Sequence, residues 1–465
     1  MAQTRQSDDL AAASGDAAVA ADSSIAADSS VAAAPEPSTS RRHPSRVLLV
    51  AASVHTCNDA MFAVMYPLLP LIALDLGLSY AEVGLVKALY SGASAILQLP
   101  AGVMAERWGE YALLTFGNGW GAVGLLGMAA ATTFPILLVL SILAGLGGNF
   151  QHPCASTMVA RAFEGGRRGT AIGTLNFAGD LGKMAAPALV GLVALPFGWR
   201  AALLALGIFG IVFSVGVWLL KSWVNPPPPP APEPATPPAA LAAAAAPVDG
   251  QPGTSSPSSN GTASGTSPSA SATAPSRRLF GVSPAFYLLS LVGLMDASTR
   301  SAALTFLPFA LERQGLDGVA IGFLFGVLFV GGALGKLLCG PLGDRFGPFA
   351  IIVLTETTTA LALLGLVWGP SSALIPLAMV FGFGLNGTSS VLYAAVASLV
   401  PDGKRGRGYG LYYTVIDVAA ALMTAAYGLY ADWSGLDITF VVMALLTLAV
   451  VPLSLPLRSR LAEAA

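Results

Sequence analysis

Twelve long apolar stretches, separated by short polar connectors, dictate what this chain can become. They run over 46–72, 80–104, 110–131, 134–160, 168–195 and 199–221, then 283–311, 318–342, 348–369, 371–400, 406–432 and 436–457. About 20 predominantly apolar residues span the hydrocarbon core of a bilayer as a helix. A helix is also the form in which a single segment satisfies its own backbone there. The alternative, several soluble domains in a chain of 465 residues, needs charge to cover a wet surface. Soluble domains carry about 25% charged residues, whereas this chain has 10%. The expected fold class is an all-α polytopic membrane protein with twelve transmembrane helices.

The polar remainder sets the organisation. Residues 1–45 are rich in Ala, Ser and Asp, lack the apolar core of a signal peptide, and read as a disordered cytoplasmic tail. Between the sixth and seventh stretches lie PPPPP (226–230), an alanine run and a Ser/Gly/Thr-rich segment. That composition cannot bury a core and reads as a disordered linker over 222–280. The expected layout is a tail 1–45, a six-helix half 46–221, the linker 222–280, a second half 281–457 and a short tail 458–465. Lys and Arg crowd one side: Arg41, Arg42, Arg46, Arg107, Arg161, Arg167, Arg168, Lys221, Arg277, Arg278, Arg345, Lys404, Arg405, Arg407, Arg458 and Arg460. The other side receives Arg200 and Arg313. The positive-inside rule then makes both termini and the linker cytoplasmic. No G-x-x-x-x-G-K-[ST] loop occurs, so the chain has no ATP motor of its own.

The two halves repeat one another. Residues 81–111 align with 319–349 at an offset of 238, pairing Gly84 with Gly322, Gly102 with Gly340, Glu106 with Asp344, Arg107 with Arg345 and Gly109 with Gly347. Further on the offset is 237: Gly145 meets Gly382, Arg168 meets Arg405 and Asp180 meets Asp417. Parallel halves of this kind are built by transporters that bind substrate between them. The segments Gly102-Val-Met-Ala-Glu106-Arg107-Trp-Gly109 and Gly340-Pro-Leu-Gly-Asp344-Arg345-Phe-Gly347 resemble the G-x-x-x-D-R-x-G loop of the major facilitator superfamily. The first copy has Glu in place of Asp. The resemblance implies gating loops at these eight residues and the two-half major facilitator fold. A narrower likeness, carried by His55-Thr-Cys-Asn58-Asp59, Tyr66-Pro67, His152-Pro153 and Gly165-Gly166-Arg167-Arg168-Gly169, is to the fosmidomycin-resistance group of bacterial efflux proteins. It implies a multi-pass exporter of the bacterial inner membrane, driven by protons.

Ionisable residues at mid-membrane depth are functional candidates, since each costs on the order of 2.5–3.5 kcal/mol to insert. Asp59, Asp180, Asp296 and Asp417 sit near the middles of their helices, with His55 one turn before Asp59; these five are the candidate proton-coupling residues. Asp180 with Lys183, and Asp296 with Arg300, share helix faces and are either neutralised structural pairs or working ones. Asp59 and Asp417 have no cation at helical spacing, which suits a titrating carboxylate. Lys183, Arg300, Lys87 and Lys336, with Asn58, Asn176 and His152, are candidate substrate-binding residues, and their charge suits a carboxylate or phosphonate. Lys87 is alternatively a snorkelling lysine, and Lys336 and Glu356 are expected to pair across a helical hairpin. The His-x-Cys pairs His55/Cys57 and His152/Cys154 raise a membrane enzyme or metal site as an alternative, and a non-transporting sensor is another. Two such pairs are a weak signal, and neither tail nor linker supplies an output domain. The reading is a proton-coupled transporter of a small organic anion by efflux, with uptake of a small carboxylate as the alternative. No metal, cofactor or nucleic acid is expected, and the protein should work as a monomer in the bilayer.

Overall fold

The structure, a computed structural model, describes residues 43–96, 98–163, 167–224, 284–400 and 405–458. The tails 1–42 and 459–465 and most of the linker fall outside the described residues, as do the surroundings of Gly102 and the side chain of Glu106. The remainder is helical, without a strand among the described residues.

The first half contains six spans. Span α1 runs over Pro44–Ala63 and Met65–Leu76, α2 over Tyr80–Ile96 and Gln98–Trp108, and α3 over Glu110–Ala129. Span α4 runs over Phe134–Gly145, a tight turn Leu146–Phe150, and Gln151–Ala162; α5 begins at Arg168–Leu189 and continues through a wide turn Val190–Ala194; α6 is Trp199–Leu219. The second half holds α7 (Pro284–Arg313), α8 (Gly318–Phe346), α9 (Pro348–Trp368), α10 (Leu374–Leu399), α11 (Arg405–Ser434) and α12 (Leu436–Ser454). Among the described residues ten of these are long and apolar enough by themselves to cross a membrane, and α7 is not one of them; α2 includes residue 97, outside the described residues. In α7, Asp296, Arg300 and the intervening Ser and Thr dilute an otherwise apolar run.

The interruptions have local causes. Pro67 and Pro70 cannot donate to the carbonyls of Ala63 and Tyr66, and α1 divides at Val64. Pro153 likewise leaves the Asn149 carbonyl without its helical donor, and α4 tightens just before it. Gly109 and Gly347, the last residues of the repeated motif, take φ values of +84° and +86°. That conformation is open to glycine and strained for other residues, and it turns α2 into α3 and α8 into α9. The two motif copies thus do the same geometric work. Asp344 and Arg345 are exposed at the end of α8, and no ion pair ties them to another helix among the described residues.

Within the first half, α1 packs on α5, α3 on α6 and α2 on α4; in the second, α8 packs on α10, α7 on α11, and α9 on both α10 and α12. The halves meet where α2 lies against α11 and α5 against α8, two contacts that the internal repeat exchanges. At the face away from the termini one apolar core joins both halves, running from Met65 and Leu69 through Leu203 to Phe306, Phe325 and Phe440. Towards the face that holds both termini the core divides. One part, around Val50, Leu114 and Met158, belongs to the first half; the other, around Leu289, Ile352 and Val396, belongs to the second. The molecule is sealed at the far face and parted at the terminal face.

Candidate functional site

Four helices deliver a chain of charges to the middle of the molecule. Span α1 brings His55, Asn58 and Asp59, all buried, just before its break. Span α5 can approach them because it offers glycine: a Cβ on Gly179 would lie 2.6 Å from His55 Nε2 and 2.7 Å from Asp59 Oδ2, and one on Gly182 would meet the Thr56 carbonyl. The Thr56 hydroxyl donates to the Ala178 carbonyl at 2.7 Å and fixes the register of the pair. Lys183 then reaches across to Asp59 Oδ2 at 3.0 Å while holding Asp180 Oδ1 of its own helix at 3.2 Å. Asp180 continues the chain into the other half, where Lys336 of α8 donates to both its oxygens at 2.7 and 2.9 Å. At the opposite end, His55 Nε2 lies 3.5 Å from Asp59 Oδ2. The His152 ring of α4 stands edge-on to His55, 5.1 Å between centroids. His152 and Asn176 are exposed.

A second group occupies the other half. Arg300 lies 3.7 Å from Asp296 along α7, interacts with the Tyr393 hydroxyl of α10, and is within electrostatic reach of Asp417 on α11. Glu356 of α9 is buried, and its Oε1 has no hydrogen-bond partner among the described residues. Lys87, on α2, packs its ammonium 4.6 Å from the centre of the Tyr66 ring and donates to Ser91 Oγ at 2.7 Å.

Three expectations need correction. Asp59 is not an unpaired carboxylate; its cation comes from another helix, so no spacing along α1 discloses it. Lys336 does not pair with Glu356 across the α8–α9 hairpin: it turns instead to Asp180 of α5, in the other half. Lys87 does not snorkel outward, being 2% exposed over Tyr66. The Asp180–Lys183 and Asp296–Arg300 pairs are present as their spacing predicts. The His-x-Cys pairs separate: the histidines converge, while Cys57 and Cys154 enter two different apolar cores. Ligand atoms of His55, Asp59 and His152 lie within 4.8 Å of one another. Lys183, however, already occupies the Asp59 oxygen that a cation would need. Gly179 and Gly182, without which α5 could not approach α1, were not singled out by the sequence; small residues recurring along a buried helix face were the available signal.

The family model of the Major Facilitator Superfamily matches residues 50–295 and 289–464. The chain belongs to the Major Facilitator Superfamily. The fosmidomycin resistance protein of Escherichia coli (strain K12) is 24% identical over 428 residues, covering 88% of this chain and 93% of the relative. A probable sulfoacetate transporter of Cupriavidus necator is 25% identical, covering 80% of this chain and 84% of its own length. Among solved structures, a bacterial homolog of the human lysosomal transporter Spinster, in an inward-facing and unoccupied conformation, superposes with a TM-score of 0.71 at 15% identity. That match covers 92% of this chain and 99% of the other. As a member of this superfamily the chain is a multi-pass membrane transporter of small molecules and not an enzyme. The charge chain from Lys336 to His152 crosses the seam between its two halves.

Proposed function

We propose that this protein moves a small organic anion by alternating access, coupled to protons, and that it works as an exporter in the bacterial inner membrane with both termini cytoplasmic. The observation that carries the reading is Lys183, a single ammonium shared by Asp59 and Asp180. A substrate carboxylate, sulfonate or phosphonate competes with these side chains for Lys183 and, through Asp180, for Lys336. A proton on Asp59 cancels its hold on the same ammonium. Proton and anion therefore act on one group, as coupling requires. Arg300 is a further cation, in the second half, and His152 and Asn176 are exposed beside the charged cluster. Export is supported by the relative named for fosmidomycin resistance, which aligns over nearly its whole length. Uptake with protons is the second reading. It is favoured by the relative named as a probable sulfoacetate transporter and by the site itself, since protonating Asp59 frees Lys183 for an anion.

The test uses purified protein in proteoliposomes with an imposed pH gradient and a panel of sulfonates and phosphonates, which stay charged and do not leak across as neutral acids. Accumulation driven by an acidic lumen supports exchange; accumulation driven by an acidic exterior supports co-transport. Flux indifferent to the gradient, or confined to cations, sinks the proposal. Asp59→Asn is expected to lower gradient-driven accumulation by about tenfold or more, the scale of one lost charge-dependent interaction of roughly 1.4 kcal/mol, while anion binding persists.

A further inference from the structure

Lys87 is a cation that the charge chain does not use. It is 2% exposed on α2, and no carboxylate comes within ion-pair distance of it among the described residues. Its ammonium donates to Ser91 Oγ at 2.7 Å and stands 4.6 and 5.6 Å from the ring centres of Tyr66 and Tyr90. Aromatic faces offset part of the cost of burying a cation, but they carry no net charge. The positive charge therefore stays unbalanced, and ionisable residues inside a membrane mark binding or transport sites by default. Ser91 Oγ accepts from Lys87, which leaves its own hydrogen for a further acceptor.

The internal repeat shows that the fold does not need this charge. At the offset of 238 residues Lys87 corresponds to Phe325 of α8, Ser91 to Phe329 and Tyr66 to Leu304 of α7. All three counterparts are buried, and the two phenylalanine rings pack with 6.1 Å between centroids. The same place in the second half is an ordinary apolar contact. Apolar residues often stabilise such a position as well as buried charge does, or better, so packing alone gives no reason for a lysine and a serine here.

We propose that Lys87 and Ser91 form a second anion-binding site, separate from Lys183, that serves the far face. Its ligand is a carboxylate, sulfonate or phosphonate, with one oxygen on the ammonium and another on the Ser91 hydroxyl; that ligand class rests on the functional reading above. Lys87 lies seven residues, about 10 Å, from the far-face start of α2. It is one turn inside the crossing where a Cβ on Gly84 would stand 2.8 Å from the Thr424 carbonyl oxygen of α11. That crossing joins the two halves, so parting of the far face uncovers Lys87, and an anion arriving there supplies the missing charge. While the face is sealed, the two tyrosines hold the ammonium in place.

Binding of methanesulfonate and methylphosphonate to the full-length protein in lipid nanodiscs, followed by titration calorimetry, tests the site without transport. Gly428→Trp sets a bulky side chain against the Tyr80 carbonyl and holds the far face apart. In that background Lys87→Met is expected to raise Kd about tenfold, and Lys87→Arg, which keeps the charge, to recover most of the loss. The melting temperature of Lys87→Met should equal or exceed that of its parent, because methionine removes a buried charge. An unchanged Kd overturns the proposal, whatever the melting temperature does. If Gly428→Trp does not fold, acylation of Lys87 in the wild type, read by mass spectrometry, decides. The two anions should slow that reaction severalfold and tetramethylammonium should not; acylation indifferent to the anions, or absent altogether, overturns the proposal. Failure of the functional reading shows itself separately, as anions that bind through Lys87 yet do not move with the pH gradient.

Discussion

Lys183 neutralises two carboxylates from two helices, and its side chain is 32% exposed on the parted side of the molecule. Replacing it with Met leaves Asp59 and Asp180 with less cation than charge. Breaking a fully buried pair from one side costs about 3–5 kcal/mol; water around Lys183 reduces this, and a loss of roughly 1–3 kcal/mol is expected. Adding Asp59→Asn to Lys183→Met removes the stranded charge and should recover most of the loss. Thermal unfolding of the two singles and the double closes the cycle; a double variant no more stable than Lys183→Met would show that the 3.0 Å contact carries no coupling. At this scale the sequence disclosed whatever lies within one helix. Asp180 with Lys183 and Asp296 with Arg300 announce themselves by spacing. Asp59 with Lys183 and Lys336 with Asp180 join different helices, and their partners depend on helix rotation, which spacing along one chain segment does not encode.

Helices α1 and α5 are held together by what α5 lacks. At Gly182 any side chain would run into the Thr56 carbonyl, a backbone atom that cannot swing aside. Gly182→Leu should force α5 away from α1, carrying Asp180 and Lys183 with it. The expected outcome is a lower melting temperature together with loss of gradient-driven transport. Gly173 on the same helix has open space where a Cβ would stand. Gly173→Ala should leave both properties near wild type, or slightly raise stability through its better helix propensity. Equal damage from the two substitutions would mean that α5 tolerates no change anywhere, and the close-approach argument would fail. The existence and order of the spans were legible from apolar length, and the division of α1 near Pro67 and the tightening of α4 near Pro153 follow from prolines visible in the sequence. The wide turn at 190–194 in α5 has the same kind of marker, since Pro196 cannot donate to the Leu192 carbonyl inside it.

The internal repeat made the two-half architecture legible, but the offset of 238 residues cannot say at which face the halves touch. The structure answers through its cores, shared at the far face and separate at the terminal face. One polar contact reinforces the seal. The carboxylate of Asp432, on α11, accepts from the Tyr80 and Ala81 amides at the start of α2, each at 2.9 Å. These amides have no partner within α2, and the positive end of the helix favours an anion, so a residue of one half caps a helix of the other. Opening the far face requires this cap to be given up, together with the close passage of Gly428 against Tyr80. Asp432→Ala removes the cap at a cost of about 1 kcal/mol, and removes it from the sealed state alone, so the parted-far-face conformation should gain several-fold in population. Spin labels at Leu74→Cys and Val319→Cys report this opening, since both positions are exposed at the far face on opposite halves and the native Cys57, Cys154 and Cys339 are buried. Asp432→Ala should shift their distance distribution towards longer separations, and Asp432→Asn, which keeps an acceptor, should shift it less. A distribution identical, in both variants, to that of the spin-labelled protein with Asp432 intact would mean that the apolar core alone holds the far face shut.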